Sequence, residues 1–144
     1  MRRLAPRLIL AICLACATDP VEPPKAGNVT RAWELTKCEY RDPTDPARVV
    51  ELIAAGWSIK LYINDNHAFL YPATPPGGQP QDLAGTWRIQ GSKLLLAPTG
   101  YGYEWSFSAR VHEESMTLRG ASAEYDFDSD GTPEPATWNM AMRN

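Results

Sequence analysis

Apolar and polar side chains alternate along most of the chain between Val29 and the C-terminus, and clusters of turn residues separate the alternating runs. A period of two places successive side chains on opposite faces of an extended backbone, so each run predicts a half-buried β-strand. The clearest run, residues 57–63, has apolar side chains at every second position: Trp57, Ile59, Leu61 and Ile63. The pattern therefore predicts a domain built mainly of strands.

Eight strands are predicted, and turn chemistry separates several of them. Asn-Asp-Asn at residues 64–66 and Gly-Ser at residues 91–92 indicate tight hairpin turns, because these residue types adopt left-handed backbone angles readily. The closely spaced apolar positions of residues 47–55 predict one short helix, which ends at Gly56 and would act as a lid over one end of the domain. The predicted strands cover residues 29–40, 57–63, 67–73, 83–90, 93–97, 103–111, 115–119 and 136–143.

Short loops join most of these strands. Parallel neighbours need crossover connections of about a dozen residues or more, which the pattern lacks, so an antiparallel meander is the simplest arrangement. A meander with a half-apolar face hides its unpaired edges by closing on itself. We therefore expect an all-β fold, an eight-stranded antiparallel up-and-down barrel formed by residues 29–144 as one domain, with an open β-sandwich as the alternative.

The first 15 residues have the composition of a signal peptide. Three arginines precede an uncharged apolar run, residues 8–15, which is too short for a membrane-spanning helix of about 20 residues. The run ends in Leu-Ala-Cys at residues 14–16, which resembles the lipobox at which bacterial lipoproteins are cleaved and diacylated. Cleavage at Cys13 and an ordinary secretory signal peptide are the alternatives.

The lipobox resemblance implies how the exported protein is organised. Cys16 would carry the covalent lipid, with palmitate as its acyl group, and residues 16–28 would form a polar, Pro-rich tether. The lipid bilayer of the cell membrane or the outer membrane would then be the partner of the N-terminal anchor. Ala17, rather than Asp, after the cysteine is similar to lipoproteins that are released to an outer membrane.

Charge and cysteine content exclude several kinds of partner and site. Removal of residues 1–15 takes away three arginines and no acid, so 11 of the 14 Lys and Arg remain against 17 Asp and Glu, a net charge of −6. This charge repels phosphate backbones, and nucleic acid is not expected as a partner. Cys38 would be the one free thiol left, which excludes an internal disulfide or a zinc–thiolate site and favours a core position over an intermolecular disulfide.

The sharpest local motif is an Asp-x-Asp-x-Asp-Gly frame that resembles the first half of an EF-hand loop. Carboxylates at alternate positions can surround one hard cation while the glycine permits a sharp bend. The twelfth position is Thr137, where an EF-hand has a bidentate Glu. A structural calcium site would hold the connection of residues 121–135 against the barrel, and a solvated polar loop is the alternative. The candidate ligands are Asp126, Asp128, Asp130, the Thr132 carbonyl and Glu134.

Aromatic residues are distributed evenly over the predicted strands. One tryptophan on each of five strands suits either a filled barrel core or an apolar ligand cavity, because a small barrel can fill its lumen or hold one small molecule. Tyrosines at positions 62, 71, 101 and 103 would stand at the mouth of such a cavity. The candidate cavity residues are Trp33, Trp57, Trp87, Trp105 and Trp138.

Three segments together resemble the bacterial lipocalin-like lipoproteins, over nearly the whole mature domain. The resemblance implies a lipocalin-like barrel with a ligand in or at the mouth of its lumen. The segments are Arg31-Ala32-Trp33-Glu34-Leu35, Leu83-Ala84-Gly85-Thr86-Trp87-Arg88-Ile89 and Lys93-Leu94-Leu95-Leu96.

Three functions are compatible with this sequence. The first is a non-enzymatic, membrane-anchored module that binds a small apolar or amphipathic ligand in an unfilled lumen. The second is an envelope structural or protein-interaction module with a filled barrel, a calcium-stabilised loop and apolar residues gathered on one outer face. The third, an enzyme, is not expected, because His67 and His112 are not accompanied by a nucleophile or metal-ligand motif.

Overall fold

The computed structural model describes residues 20–144, so the predicted signal peptide and the predicted lipid site at Cys16 lie outside the described residues. One short helix, α1 (Ala26–Val29), precedes a sheet of nine antiparallel strands. The strands are β1 (Ala32–Arg41), β2 (Val49–Glu51), β3 (Ser58–Ile63), β4 (Ala68–Thr74), β5 (Gln81–Gln90), β6 (Lys93–Pro98), β7 (Trp105–His112), β8 (Ser115–Tyr125) and β9 (Glu134–Arg143).

The sheet closes into an eight-stranded barrel. Its order is β2-β1-β3-β4-β5-β6-β7-β8-β9, and β1 also pairs with β9 from Glu34 to Arg41. The other edge of β1 is shared, because its beginning pairs with β3 and its end pairs with the short extra strand β2. The predicted antiparallel barrel is therefore confirmed, and closure satisfies the backbone hydrogen bonds that an open sheet would expose.

The helix predicted for residues 47–55 is wrong. Val49–Glu51 is strand β2, and the chain then makes turns up to Gly56, whose φ is 94°. The Glu51 carboxylate explains the difference, since it accepts hydrogen bonds from the backbone N–H groups of Cys38 (2.7 Å), Ile53 (3.1 Å) and Ala54 (2.7 Å). The bonds from Ile53 and Ala54 occupy backbone N–H groups that a helix would use for its own hydrogen bonds. The bond from Cys38 fixes the segment to β1.

A register shift in β1 accounts for its irregular hydrophobic pattern. Trp33 and Leu35 are buried, then the pairing with β9 shifts between Leu35 and Lys37, and Cys38 is the next buried apolar residue. A β-bulge reverses the face to which the following side chains point. Because of this bulge, the apolar residues of β1 change from odd to even positions, so strict alternation along the sequence gives no fully apolar face.

The connection between the last two strands is shorter than predicted. Strand β8 continues to Tyr125 and β9 begins at Glu134, whereas the sequence pattern ends the strand at residue 119. The cause is a second register shift between Leu118 and Ala121, where Gly120 adopts a φ of 82°. Glycine takes this left-handed conformation without a side-chain clash, so the strand bends there and resumes.

One end of the barrel is closed by packed side chains. Val29 of α1 is fully buried and its carbonyl accepts a hydrogen bond of 2.8 Å from the Trp33 indole N–H. The Trp87 indole N–H donates to the Asn64 carbonyl in the β3–β4 turn at 2.7 Å. In that turn the left-handed residue is His67, with a φ of 64°, rather than the predicted Asn or Asp.

Contacts with the barrel begin before the predicted domain boundary. Glu22 and Val111 exchange two backbone hydrogen bonds, of 2.7 and 2.9 Å, at the same end of the barrel as α1. Part of the segment predicted as tether thus pairs with β7. No helix within residues 20–144 has the length and apolar character needed to cross a bilayer.

Candidate ligand cavity

A cavity of about 900 Å³ occupies the end of the barrel opposite α1. Strands β1, β4, β6 and β8 end here. They lead into the segments of residues 42–57, 75–80, 99–104 and 126–133, respectively. Its apolar lining includes Leu52 and Ile59. The barrel therefore has one packed end and one end with unfilled volume.

The five candidate tryptophans divide between the two ends. Trp57, Trp105 and Trp138 line the cavity. Trp33 and Trp87 are not among the lining residues, because they pack at the closed end, where both are at least 96% buried. The sequence pattern identifies the aromatic core but does not tell the two ends apart.

Trp138 forms the centre of the aromatic lining. Its ring stacks on that of Tyr40, with 5.5 Å between the ring centroids. It also makes T-shaped contacts with the rings of Trp105 and Tyr71, at centroid distances of 5.0 and 5.6 Å. Its indole N–H donates to the Cys38 sulfur at 3.4 Å, so its polar atom is satisfied inside the core. Such contacts hold the ring in a fixed orientation.

Cys38 lies beneath this lining and is fully buried, as predicted for a core residue. Its sulfur is 3.5 Å from the Tyr71 hydroxyl. Burial raises the pKa of the Cys38 thiol, although the hydrogen bonds with Tyr71 and Trp138 partly oppose the rise. The thiol is therefore neutral at physiological pH and has a packing role.

Tyrosines stand at the mouth of the cavity. Tyr101 and Tyr103 are 57% and 50% exposed, and their rings make a T-shaped contact at 5.7 Å. Tyr125 stacks on Tyr40 at 4.8 Å. Tyr71 also lines the cavity, but it is buried in the interior beside Cys38, and Tyr62 is not among the lining residues. Of the four tyrosines predicted for the mouth, Tyr101 and Tyr103 are therefore found there.

The charged lining residues are all acidic. Asp82, Glu124 and Asp126 line the cavity, and Lys and Arg are absent from its described lining. Burial raises the pKa of Tyr103, and the nearby Tyr101 and Glu124 raise it further, so this phenol stays protonated. Sequence reasoning did not single out Asp82 and Glu124, which are exposed residues of β5 and β8.

The structure assembles the predicted calcium ligands in part. One carboxylate oxygen from each of Asp126, Asp128 and Asp130 lies within 4.8 Å of the others. Glu134 instead accepts a hydrogen bond from the Phe127 backbone N–H at 2.8 Å. The Thr132 backbone N–H donates to Asp130 at 2.7 Å. The three aspartates thus come together, while Glu134 is engaged elsewhere.

Arg48 neutralises the outer side of this acidic loop. Its guanidinium lies 3.0 Å from Glu134 and 3.8 Å from Asp128, and it stands over the Phe127 ring at 5.1 Å. Asp42, in the same loop as Arg48, also pairs with it at 3.5 Å. The pairs with Asp128 and Glu134 connect the loop before β2 with the loop before β9. The sequence offers no signal for this connection, because Arg48 and Glu134 are 86 positions apart in the chain.

Neither histidine belongs to the cavity. The His67 ring is 5.0 Å from that of Trp87 at the closed end, and His112 is the last residue of β7 at the same end. Comparisons of the chain with protein-family models, with curated proteins and with solved structures find no match.

Proposed function

We propose that this chain is an exported, membrane-anchored binding protein that holds a small apolar or amphipathic molecule in its barrel and catalyses no reaction. The observation that carries this proposal is the cavity of about 900 Å³ at one end of an otherwise packed barrel. Sites for small molecules commonly have volumes of about 300–1,000 Å³ and are lined mainly by apolar and aromatic side chains. The cavity has both properties.

The arrangement of the lining favours an amphipathic ligand. Trp105 and Trp138 offer apolar surface in the interior, while tyrosine hydroxyls and carboxylates stand at the rim. A molecule with an apolar body and a polar end would meet matching surfaces at both depths. The resemblance to lipocalin-like lipoproteins supports the same assignment, since those proteins use a barrel of this kind for ligands.

The proposed lipid on Cys16 would orient the barrel at the bilayer. Glu22, where contact with the barrel begins, lies six positions after Cys16, and an extended segment of that length reaches at most about 20 Å. Because Glu22 pairs at the closed end, the cavity would open away from the membrane that carries the anchor. Ligand would then enter from the aqueous side.

The alternative function, an envelope interaction module with a filled barrel, is less well supported. It requires a packed lumen, and the lumen is packed at the α1 end only. Large exposed apolar side chains in residues 20–144 are few, and two of them, Tyr101 and Tyr103, belong to the mouth of the cavity. We therefore favour the ligand-binding function.

The proposal is tested by titrating a neutral apolar fluorophore, N-phenyl-1-naphthylamine, into the segment of residues 20–144. All strands of the closed sheet and its core lie in this segment, so it contains the complete barrel. We expect saturable binding of one probe per chain, with energy transfer from the cavity tryptophans.

A matched pair of variants locates the bound probe. Ala123 lines the cavity, and Ala123→Phe should fill part of it and weaken binding at least about tenfold. Ala84→Phe makes the same change on the exposed face of β5 and should leave binding unchanged. Absence of saturable binding to the wild type, or equal binding by Ala123→Phe, would contradict the proposed function.

A further inference from the structure

One tyrosine of the cavity lining has a hydroxyl that the protein does not use. Tyr40 is partly buried against the core, and its hydroxyl makes no hydrogen bond within residues 20–144. Every side-chain nitrogen or oxygen of these residues that is sealed from solvent does have a partner, so the Tyr40 hydroxyl is not sealed in. It opens into the cavity that Tyr40 lines. The neighbouring Tyr71 differs, because its hydroxyl lies 3.5 Å from the Cys38 sulfur.

The Tyr40 ring is held in a fixed position. It is stacked between Tyr125 and Trp138, with 4.8 and 5.5 Å between the ring centroids. Its backbone pairs with Val50 of β2 on one side and with Trp138 of β9 on the other. Burial is the main cause that raises the pKa of Tyr40 above its ordinary value, so the hydroxyl keeps its proton. The lining therefore offers a preorganised hydrogen-bond donor, and preorganisation lowers the entropy cost of binding.

Indole N–H groups show the same contrast between the packed core and the cavity. Those of Trp33, Trp87 and Trp138 donate to protein acceptors at 2.8, 2.7 and 3.4 Å. Those of Trp57 and Trp105, which are cavity residues, make no hydrogen bond in the part of the chain that the structure describes. An indole N–H can donate and cannot accept. The lining thus holds donors whose acceptors must come from outside the chain.

The cavity supplies no positive charge for an anionic acceptor. Lys and Arg are absent from its described lining, and the interior around Trp138 is apolar and aromatic. A carboxylate that entered this interior would lose hydration without gaining a cation as its partner. Burial of an unpaired charge costs far more than burial of a neutral polar group that is hydrogen-bonded. A neutral carbonyl oxygen accepts a hydrogen bond without this cost.

We propose that the ligand of this cavity is an uncharged carbonyl compound with an apolar body, whose carbonyl oxygen accepts a hydrogen bond from the Tyr40 hydroxyl. This inference rests on the proposed function and adds the polar group of the ligand to it. The apolar body lies against Trp105 and Trp138. An analogue without the oxygen leaves the Tyr40 hydroxyl without a partner in apolar surroundings, so the site distinguishes a ketone from the hydrocarbon of the same shape.

Two naphthalenes of matched shape test the inference. In 2-acetylnaphthalene a carbonyl group stands where 2-ethylnaphthalene has a methylene group, and each is titrated against N-phenyl-1-naphthylamine bound to residues 20–144. Tyr40→Phe removes the hydroxyl and keeps the stacked ring. We expect this variant to bind the ketone at least about fivefold more weakly than the wild type, and to bind 2-ethylnaphthalene and the probe within about twofold of it.

A second tyrosine provides the matched control. Tyr62→Phe makes the same change on β3, at a residue that does not line the cavity, and should leave both affinities unchanged. Thermal unfolding of the two variants shows whether each barrel is intact. Because the ketone and the hydrocarbon are compared in the same variant, any general loosening of the cavity cancels.

Infrared difference spectroscopy provides a readout on the unaltered protein. The carbonyl stretch of bound, isotope-labelled 2-acetylnaphthalene should lie below its frequency in hexane, because a hydrogen bond weakens the C=O bond. In Tyr40→Phe it should move back toward the hexane value. A wild-type stretch at the hexane value would overturn the inference even if Tyr40→Phe failed to fold.

The contrary results separate the inference from the proposed function. If the probe binds but Tyr40→Phe affects the ketone and the hydrocarbon equally, or affects neither, the inference is overturned while the proposed function stands. The same holds if 2-acetylnaphthalene does not displace the probe, or if Tyr62→Phe weakens the ketone as much as Tyr40→Phe does. If the probe does not bind at all, both the inference and the proposed function fail.

Discussion

The Cys38 thiol lies where thiol reagents cannot reach it in the folded protein. It is fully buried between Tyr71 and Trp138, and burial raises its pKa. We expect an aromatic disulfide reagent to label native residues 20–144 at least about a hundredfold more slowly than the denatured segment, because labelling requires local or global opening. Labelling at equal rates would show that this part of the core is accessible.

The same raised pKa makes stability depend on alkaline pH. The folded state retains the Cys38 proton, whereas the unfolded chain releases it near a pKa of about 8.5. Ionisation of the unfolded chain therefore lowers the free energy of unfolding as pH rises beyond that value. Tyr40 and Tyr71 act in the same direction at higher pH, since burial raises the pKa of each. Melting curves should show a smaller alkaline loss for Cys38→Ala than for the wild type.

Gly85 permits the close approach of β5 to its neighbours. A Cβ at this position would overlap the Ala97 carbonyl oxygen and would lie 2.8 Å from the Phe69 ring. Gly85→Ala should lower the free energy of unfolding by about 1–3 kcal/mol through overpacking. Gly27→Ala in α1 is the control, because a Cβ there meets no atom within 4 Å and should change stability little. Equal melting temperatures for the two variants would contradict this explanation.

At the scale of elements, Glu39 is a buried carboxylate that joins two basic residues of its own strand, β1, and also accepts a hydrogen bond from Asn139 of β9. Its side chain is 7% exposed and accepts hydrogen bonds from Arg41 while it pairs with Lys37 at 2.9 Å. Burial alone would raise the pKa of Glu39, but these basic partners outweigh it and hold the pKa below its ordinary value. The stabilisation is present above the unfolded pKa of about 4.3 and is lost as pH falls through the lower folded value.

Glu39→Gln should therefore cost about 1 kcal/mol of stability at neutral pH and little at acid pH. Chemical denaturation of the wild type and the variant over this pH range measures the difference. Glu34→Gln, on the exposed face of the same strand, is the matched control. A constant difference at all pH values would rule out the ionised carboxylate as its cause.

Calcium binding by the acidic loop stays a prediction, and Arg48 gives it a sharper test. The guanidinium lies 3.8 Å from Asp128 and would repel a divalent cation held by the three aspartates. If calcium binds, its addition should raise the melting temperature, Asp130→Asn should abolish the rise, and Arg48→Gln should increase the apparent affinity. No stabilisation at millimolar calcium in either the wild type or Arg48→Gln would make the loop a solvated turn.

Hydrophobic alternation predicted the strands more accurately than turn residues predicted where the elements begin and end. Alternation predicted the eight barrel strands, and Gly91 at a φ of 61° makes the predicted two-residue turn. The errors at residues 47–55 and at the end of β8 have a common origin, since the Glu51 hydrogen bonds and the bulge at Gly120 depend on neighbouring strands. The sequence of one strand alone does not show which residues its neighbouring strands will bring beside it.

The candidate site was predictable in composition and not in position. Tryptophans on separate strands indicated a shared interior, and three of the five line the cavity. Which end stays unfilled depends on α1, because Val29 and its contact with Trp33 close the other end.

For the whole molecule, the two ends of the barrel have separate roles in the proposed function. The closed end receives the N-terminal segment at Glu22, and the open end presents the cavity to solvent. Attachment of the chain at the closed end would keep the proposed anchor away from the mouth. The barrel would bind ligand with the same affinity whether or not it is attached to a membrane.

Lipidation at Cys16 is the prediction on which this orientation depends. In a bacterial host, the full chain should incorporate labelled palmitate and sediment with membranes, whereas Cys16→Ser should do neither, because the thiol that accepts the lipid is lost. Cys13→Ser is the matched control within the same apolar run and should remain acylated. Acylation that persists in Cys16→Ser and disappears in Cys13→Ser would move the anchor to Cys13, lengthening the reach to Glu22 by three residues. Release of an unacylated wild-type chain would show that the segment is an ordinary secretory signal, and the barrel would then carry its ligand free of any membrane.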